Sequence, residues 1–252
     1  ITPPILFLVD DLPMRKVESQ TRRDKAALLE PPLALESRTP NLDVHYYKLE
    51  AKSGQRIAME VVGSRLGEDV DAVLKLLDAR GRILAASDDE PGSGKDPRLA
   101  HVFSKDETAY VEVREVRYQG GKFYRLRVGN FPLPMAAFPM VAQSGVETSF
   151  VSLDPSGEKS LSRSTRASGL YGAPSRHSLG FRGREHDSSG FVPLRLVEEP
   201  QFIEKEPNNQ FTEAHLIESS VTLNGHLQMP DDVDIYAFDL KRGQHLHFLP
   251  FG

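Results

Sequence analysis

Glu204, Glu206, Asn208 and Asn209 place four oxygen-bearing side chains within six residues, and Asp231 and Asp234 follow at the entry to a strand-like segment. Calcium takes roughly six to eight oxygen ligands, flexibly arranged, from carboxylates and amide carbonyls, so these residue types suit it. In an extended segment, alternation sets Glu204, Glu206 and Asn208 on one side. Asp231 and Asp234 are three apart, where a turn can direct both toward that segment. Clustered carboxylates repel one another unless a cation or water separates them. The same residues also read as a solvated acidic turn before a strand, with Asn208 and Asn209 satisfying turn geometry. Both readings stand on the residues alone.

Other residues offer less. Asp69-Val70-Asp71 and Asp88-Asp89-Glu90 could hold a cation, but each sits beside a turn signal and is expected to be solvated. His245 and His247 share one face of a strand with no third ligand near them in sequence, which leaves a zinc site unsupported. HExxH, GxSxG and glycine-rich phosphate loops are absent from the sequence, and no arrangement of Ser, His and Asp singles out a nucleophile. No catalytic residue is assigned, and the chain is expected not to be an enzyme. Tyr46, Tyr47, Tyr110, Tyr118, Phe123 and Tyr124 form either an aromatic binding face or core in a chain without tryptophan.

With no cysteine there is no disulfide framework, thiolate metal site or cysteine nucleophile. A net charge of −5 gives no basis for a nucleic-acid partner. The opening apolar run, Ile5 to Val9, is far too short to insert in a membrane.

The elements that must position these residues are strands. Between about residues 42 and 131, VHYYKLEA, RIAMEVVG, AVLKLLDA, RILAAS, AYVEVREV and FYRLRVGNF follow one another, joined by Gly-containing turns such as Lys52-Ser53-Gly54-Gln55. Short strands at this spacing indicate an antiparallel sandwich. AVLKLLDA carries helix-forming residues, but the regular turns around it favour a strand.

The chain also repeats itself. Val9 falls on Val197, and at the same offset Ala26, Leu28, Leu29, Leu33 and Leu35 fall on Ala214, Leu216, Ile217, Val221 and Leu223. With one residue of slip, Val44, Tyr47, Lys52 and Gly54-Gln55 fall on Val233, Tyr236, Lys241 and Gly243-Gln244. A period of this length suits a pair of small domains better than a solenoid unit.

The segments Glu204-Lys205-Glu206-Pro207-Asn208-Asn209, Pro230-Asp231-Asp232-Val233-Asp234-Ile235-Tyr236 and Leu240-Lys241-Arg242-Gly243-Gln244 resemble the bacterial pre-peptidase C-terminal domain, a family that includes the collagen-binding domains of bacterial collagenases. In the first repeat RIAMEV, AVLKLLDARGRIL, SDDE, TAYVEV and YRLRV resemble its later strands. The intervening region is similar in position and length to the immunoglobulin-like (IPT/TIG-type) domain that often alternates with it. The resemblance implies an all-β fold of tandem antiparallel β-sandwiches, jelly-roll-like modules with an immunoglobulin-like domain between. It divides the chain into 1–13, the end of an upstream immunoglobulin-like domain; 14–131, the first sandwich; 132–197, the immunoglobulin-like domain with Ser/Arg/Gly-rich loops; and 198–252, the start of a second sandwich.

By that resemblance Glu204, Glu206, Asn208, Asn209, Asp231 and Asp234 match calcium ligands of the collagenase-type members. The Asn209 position is often aspartate there, so this copy carries one negative charge less. The first repeat has Lys16, Glu18, Gln20, Thr21, Leu42 and His45 at the aligned positions, and should not bind calcium. The expected role is a non-catalytic attachment module of a larger exported bacterial protein, secreted, periplasmic or at the cell surface. Its partners would be extracellular matrix, a cell-surface polymer or neighbouring domains. The alternatives are a structural spacer stalk, or an accessory region of a secreted hydrolase or protease whose catalytic domain lies elsewhere.

Overall fold

The computed structural model describes residues 8–89, 94–153, 162–167, 176–181, 190–218 and 220–250. Much of the Ser/Arg/Gly-rich stretch, Glu90 and most of the opening apolar run therefore lie outside the described residues.

Among the described residues the regular structure is nearly all strand, with two short 3-10 turns at Arg23–Lys25 and Ser64–Leu66. The first sandwich is built from β1 (Ala27–Leu28), β2 (Leu33–Arg38), β3 (His45–Ala51), β4 (Arg56–Val62), β5 (Ala72–Asp78), β6 (Ile83–Ser87), β7 (Arg98–Val102), β8 (Glu107–Glu115) and β9 (Phe123–Gly129). One sheet has the order β1-β3-β8-β5-β6 and the other β2-β9-β4-β7. All pairings are antiparallel except that of β1 with β3. Alternate residues of each strand turn inward: Leu33 and Leu35, Tyr47 and Leu49, Met59 and Val61, Leu74 and Leu76, Leu126 and Val128 all lie in one core. Each fully buried aliphatic chain contributes about 1.5–3 kcal/mol relative to exposure. AVLKLLDA is strand β5, central in its sheet between β8 and β6. Strand β7 falls at the end of a stretch that reads as polar loop. Among the described residues it is a short edge strand paired with β4, and it sends Leu99 into the core.

Strands β4 and β9, and β5 in the other sheet, depart from one-sided burial. Past its first residue β4 is buried at every position, and β9 likewise. The outer face of their sheet is therefore covered as well as the inner.

Downstream, β10 (Ala136–Phe138), β11 (Val141–Gln143), β12 (Glu147–Leu153), β13 (Ser162–Arg166), β14 (Arg176–Gly180) and β15 (Phe191–Val197) make two sheets, β10-β12-β13 and β11-β15-β14. Their shared core holds Ala137, Ala142, Phe150, Leu179, Phe181, Val192, Leu194 and Leu196. The last segment contributes β16 (Gln201–Ile203), β17 (His215–Leu216), β18 (Thr222–Asn224) and β19 (Tyr236–Ala237), paired β16-β18 and β17-β19.

The repeat seen in the sequence recurs in the backbone. β1 pairs β3 in parallel with Ala27 opposite Tyr47, and β17 pairs β19 in parallel with His215 opposite Tyr236. Tyr46 N donates to Gln20 O at 2.7 Å, and Ile235 N to Asn208 O at 3.0 Å. In both turns the glutamine side chain caps the lysine amide, Lys52 N to Gln55 Oε1 at 2.9 Å and Lys241 N to Gln244 Oε1 at 3.2 Å. Gly54 and Gly243 take φ of 79° and 85°, left-handed backbone that a Cβ would strain.

Candidate metal centre

Three short elements meet at the start of the second repeat. The chain leaving β16 brings in Glu204, Glu206 and Asn208; the chain leaving β18 brings in Gly225 and His226; and β19 is entered through Asp234 and Tyr236. The pairing of Asn208 O with Ile235 N holds the first and third of these together.

Glu204, Glu206 and Asp234 each offer a carboxylate oxygen within 4.8 Å of the others. Tyr236 Oη donates to Glu204 Oε2 at 2.9 Å, the His226 amide donates to Glu204 Oε1, and the Asn208 amide donates to Glu206 Oε2 at 3.0 Å. Asn208 is fully buried, yet neither polar atom of its side-chain amide has a hydrogen-bond partner. Asp234 Oδ1 is also buried without one. Buried polar atoms are almost always paired, so these three unpartnered atoms are exceptions on the segments that carry the clustered carboxylates. Gly225 permits the close approach: a Cβ there would lie 3.0 Å from Glu204 Oε2 and 3.2 Å from Asp234 Oδ2.

The electrostatics agree. Burial, and then the charge of Glu204, holds the Asp234 carboxyl above the usual range. Burial, followed by its bond to Glu204, raises the Tyr236 phenol as well.

Asn209 and Asp231 stand apart from this group. The exposed Asn209 amide lies against the following loop, where its Oδ1 accepts from Val233 N at 3.4 Å. Asp231 is exposed, adopts left-handed backbone with φ of 71°, and is not among the convergent carboxylates. Tyr236, Gly225 and His226 belong to the site without having been singled out. For Tyr236 the sequence did carry a signal, since it follows Asp234 by two residues and shares its strand face.

In the first repeat the corresponding space is filled by protein. Ser37 stands where Gly225 is, and its hydroxyl meets that of Ser19 at 2.7 Å. Ser19 reaches Tyr47 Oη at 2.8 Å, Tyr47 reaches Tyr124 Oη at 2.7 Å, and Tyr124 reaches Nδ1 of His45 at 2.8 Å. Tyr47 and Tyr124 are wholly buried, whereas Tyr46, Tyr110 and Phe123 are half-buried and Tyr118 is exposed.

Asp71, Asp88 and Asp89 also converge within 4.8 Å, but Asp71 is paired with Lys95 at 3.4 Å. No buried unpartnered atom accompanies them among the described residues. Asp69 turns away to Lys122 at 3.3 Å, and His245 and His247 are both exposed.

No family model matches the chain, and no curated protein does. Among solved structures it is similar to the pre-peptidase C-terminal domain of a collagenase from Bacillus anthracis, at 14% identity and a TM-score of 0.35, over 43% of this chain and 99% of that one. It is also similar to PliG of Aeromonas hydrophila, a periplasmic inhibitor of g-type lysozyme, at 16% identity and a TM-score of 0.33, over 41% of this chain and 94% of that one. Among the described residues no helix is long and apolar enough to cross a membrane.

Proposed function

We propose that the chain is a non-catalytic attachment module of an exported protein, and that calcium bound by Glu204, Glu206, Asn208 and Asp234 stiffens the start of its second repeat. The observation that carries the metal reading is the convergence of the Glu204, Glu206 and Asp234 carboxylates, with the Asn208 amide and Asp234 Oδ1 buried and without partners. Carboxylate and amide oxygens are the donors calcium takes. The ion would offset the repulsion among the carboxylates and tie the chain after β16 to the entry of β19. Asn209 and Asp231 match further ligand positions of the resembled family. The attachment role is supported by the resemblance of the 204–244 pattern to pre-peptidase C-terminal domains, and matrix or cell-surface polymer is the partner class it suggests.

Calorimetric titration of the whole chain with calcium tests the metal. Saturable binding that disappears in Asp234→Asn and Glu206→Gln is expected; no heat at millimolar calcium would overturn it. Co-sedimentation with insoluble collagen or polysaccharide separates attachment from the alternative of a spacer, which would stay in the supernatant.

A further inference from the structure

The outer face of the sheet β2-β9-β4-β7 carries a cluster of charges closed off from solvent. Glu60 and Arg127 face each other across β4 and β9 and are both fully buried. Arg127 Nη1 donates to Glu60 Oε2, and its Nε and Nη2 donate to Asp10 at 3.0 and 3.2 Å. Arg125 reaches the same Asp10 carboxylate at 3.0 Å. The second oxygen of Glu60 accepts from Arg65 Nη2 at 2.7 Å, and Arg65 Nε donates to Asp96 at 2.8 Å. Guanidiniums and carboxylates thus alternate across the face, so no charge in the chain of contacts lacks an opposite neighbour.

A residue of the following sheets seals this cluster. Phe191, the first residue of β15, sets its ring 4.4 Å from the guanidinium carbon of Arg127, and Phe131 lies 4.8 Å from it. The backbone of Phe191 is held as well: its carbonyl accepts from Arg65 Nη1 at 2.8 Å, and its amide points to Glu60 Oε1 at 3.4 Å. Alongside, Gly190 N donates to Pro132 O at 2.7 Å and Arg98 Nη1 donates to Pro134 O at 2.6 Å. From the very next residue the same strand enters the downstream core through Val192, Leu194 and Leu196. One strand therefore belongs to the core of the middle sheets and, at its first residue, to the ion cluster of the first sandwich.

We infer that Phe191 and the Asp10–Arg127–Glu60–Arg65 cluster form a clamp that fixes the middle sheets to the first sandwich as one rigid body. Swinging the middle sheets away would expose Arg127 and Glu60 on one side and strand the peptide of Phe191 on the other. Buried ion pairs tolerate little displacement, because losing one partner leaves a desolvated charge unpaired. Such a junction also resists salt, since ions screen exposed charges far more than buried ones. The clamp is independent of the metal reading: Asp10, Glu60, Arg65, Arg127 and Phe191 include none of the residues named at the metal centre.

The sequence has no cysteine, so the full chain takes a pair of nitroxide labels without further change. Lys105→Cys on the first sandwich and Glu147→Cys on the middle sheets are both exposed. Pulsed dipolar spectroscopy on that pair should give one narrow distance distribution, unaltered by high salt. Phe191→Ala, which removes the seal but leaves every ion pair intact, should broaden it severalfold. Arg127→Met should broaden it further. A broad distribution in the otherwise unsubstituted chain would overturn the clamp whatever the variants do, and so would a distribution that stays narrow in Phe191→Ala.

Discussion

Tyr236 donates a hydrogen bond of 2.9 Å to Glu204 Oε2, one of the carboxylate oxygens at the candidate metal centre. In the first repeat the matching phenol, Tyr47, finds Ser19 and Tyr124 instead. The same tyrosine thus orients a carboxylate in one copy and closes a network of hydroxyls in the other.

Tyr236→Phe should therefore weaken calcium binding without abolishing it. Groups that orient a metal ligand typically change affinity about 10- to 100-fold when removed. Calorimetry on the variant should read a loss near the lower end of that range, because the His226 amide still anchors the opposite oxygen of Glu204. Unchanged affinity would mean that Glu204 is positioned by something else or is not a ligand.

The strands were legible because their inward residues alternate, as in His45–Ala51, where Tyr47, Leu49 and Ala51 face the core. The same alternation misleads for the outward residues of β4 and β9. Alternation sets Glu60, Arg125 and Arg127 on the face away from the core, yet all are buried, because Asp10 and Phe191 cover them from segments far away in the chain. Periodicity reports which residues share a face, never what lies over it. At the candidate centre, residue type and spacing pointed alike to Glu204, Glu206, Asn208, Asn209, Asp231 and Asp234. Whether a loop turns its carboxylate inward depends on backbone angles that spacing does not encode, and Asp231 shows this with its φ of 71°.

Leu42 stands at the position of Asp231 and shares its left-handed backbone, with φ of 56°. Its side chain is 79% exposed, so it gains little burial in return for the strain. Asparagine tolerates this conformation far better than leucine. Leu42→Asn should stabilise the first sandwich by about 1 kcal/mol, seen as a higher urea midpoint with unchanged slope. A lower midpoint would mean that the leucine makes contacts worth more than the strain.

Burial pushes the His45 imidazole down to about 4 from its ordinary value of 6.5, against a smaller opposing effect of Asp43. The unfolded chain then takes up this proton at a higher pH than the folded one. Stability is complete above pH 6.5 and is lost as the pH falls toward 4, with a slope of up to about 1.4 kcal/mol per pH unit from this residue. Chemical unfolding across that window should show a shallower dependence in His45→Gln than in the parent chain. Parallel curves would show that His45 titrates alike in both states.

Asp96 is fully buried and accepts from the amides of Gly63, Ser64 and Arg65 at 3.1, 2.8 and 3.0 Å and from Arg65 Nε at 2.8 Å. It thereby fixes the turn after β4 and aims the Arg65 guanidinium at Glu60 and Phe191. Removing its carboxylate strands those amides and an arginine that has little access to water. Asp96→Ala should cost about 3–5 kcal/mol, the range for breaking one side of a buried pair. Asp96→Asn, which can keep part of the hydrogen bonding, should cost less. Asp106 supplies the control, because its pair with Lys52 has side chains 60% and 79% exposed, and such pairs contribute little. Urea unfolding of Asp96→Ala and Asp106→Ala side by side gives the comparison. If the two midpoints shift equally, burial has added nothing to the Asp96 interaction, and the turn is held by its backbone alone.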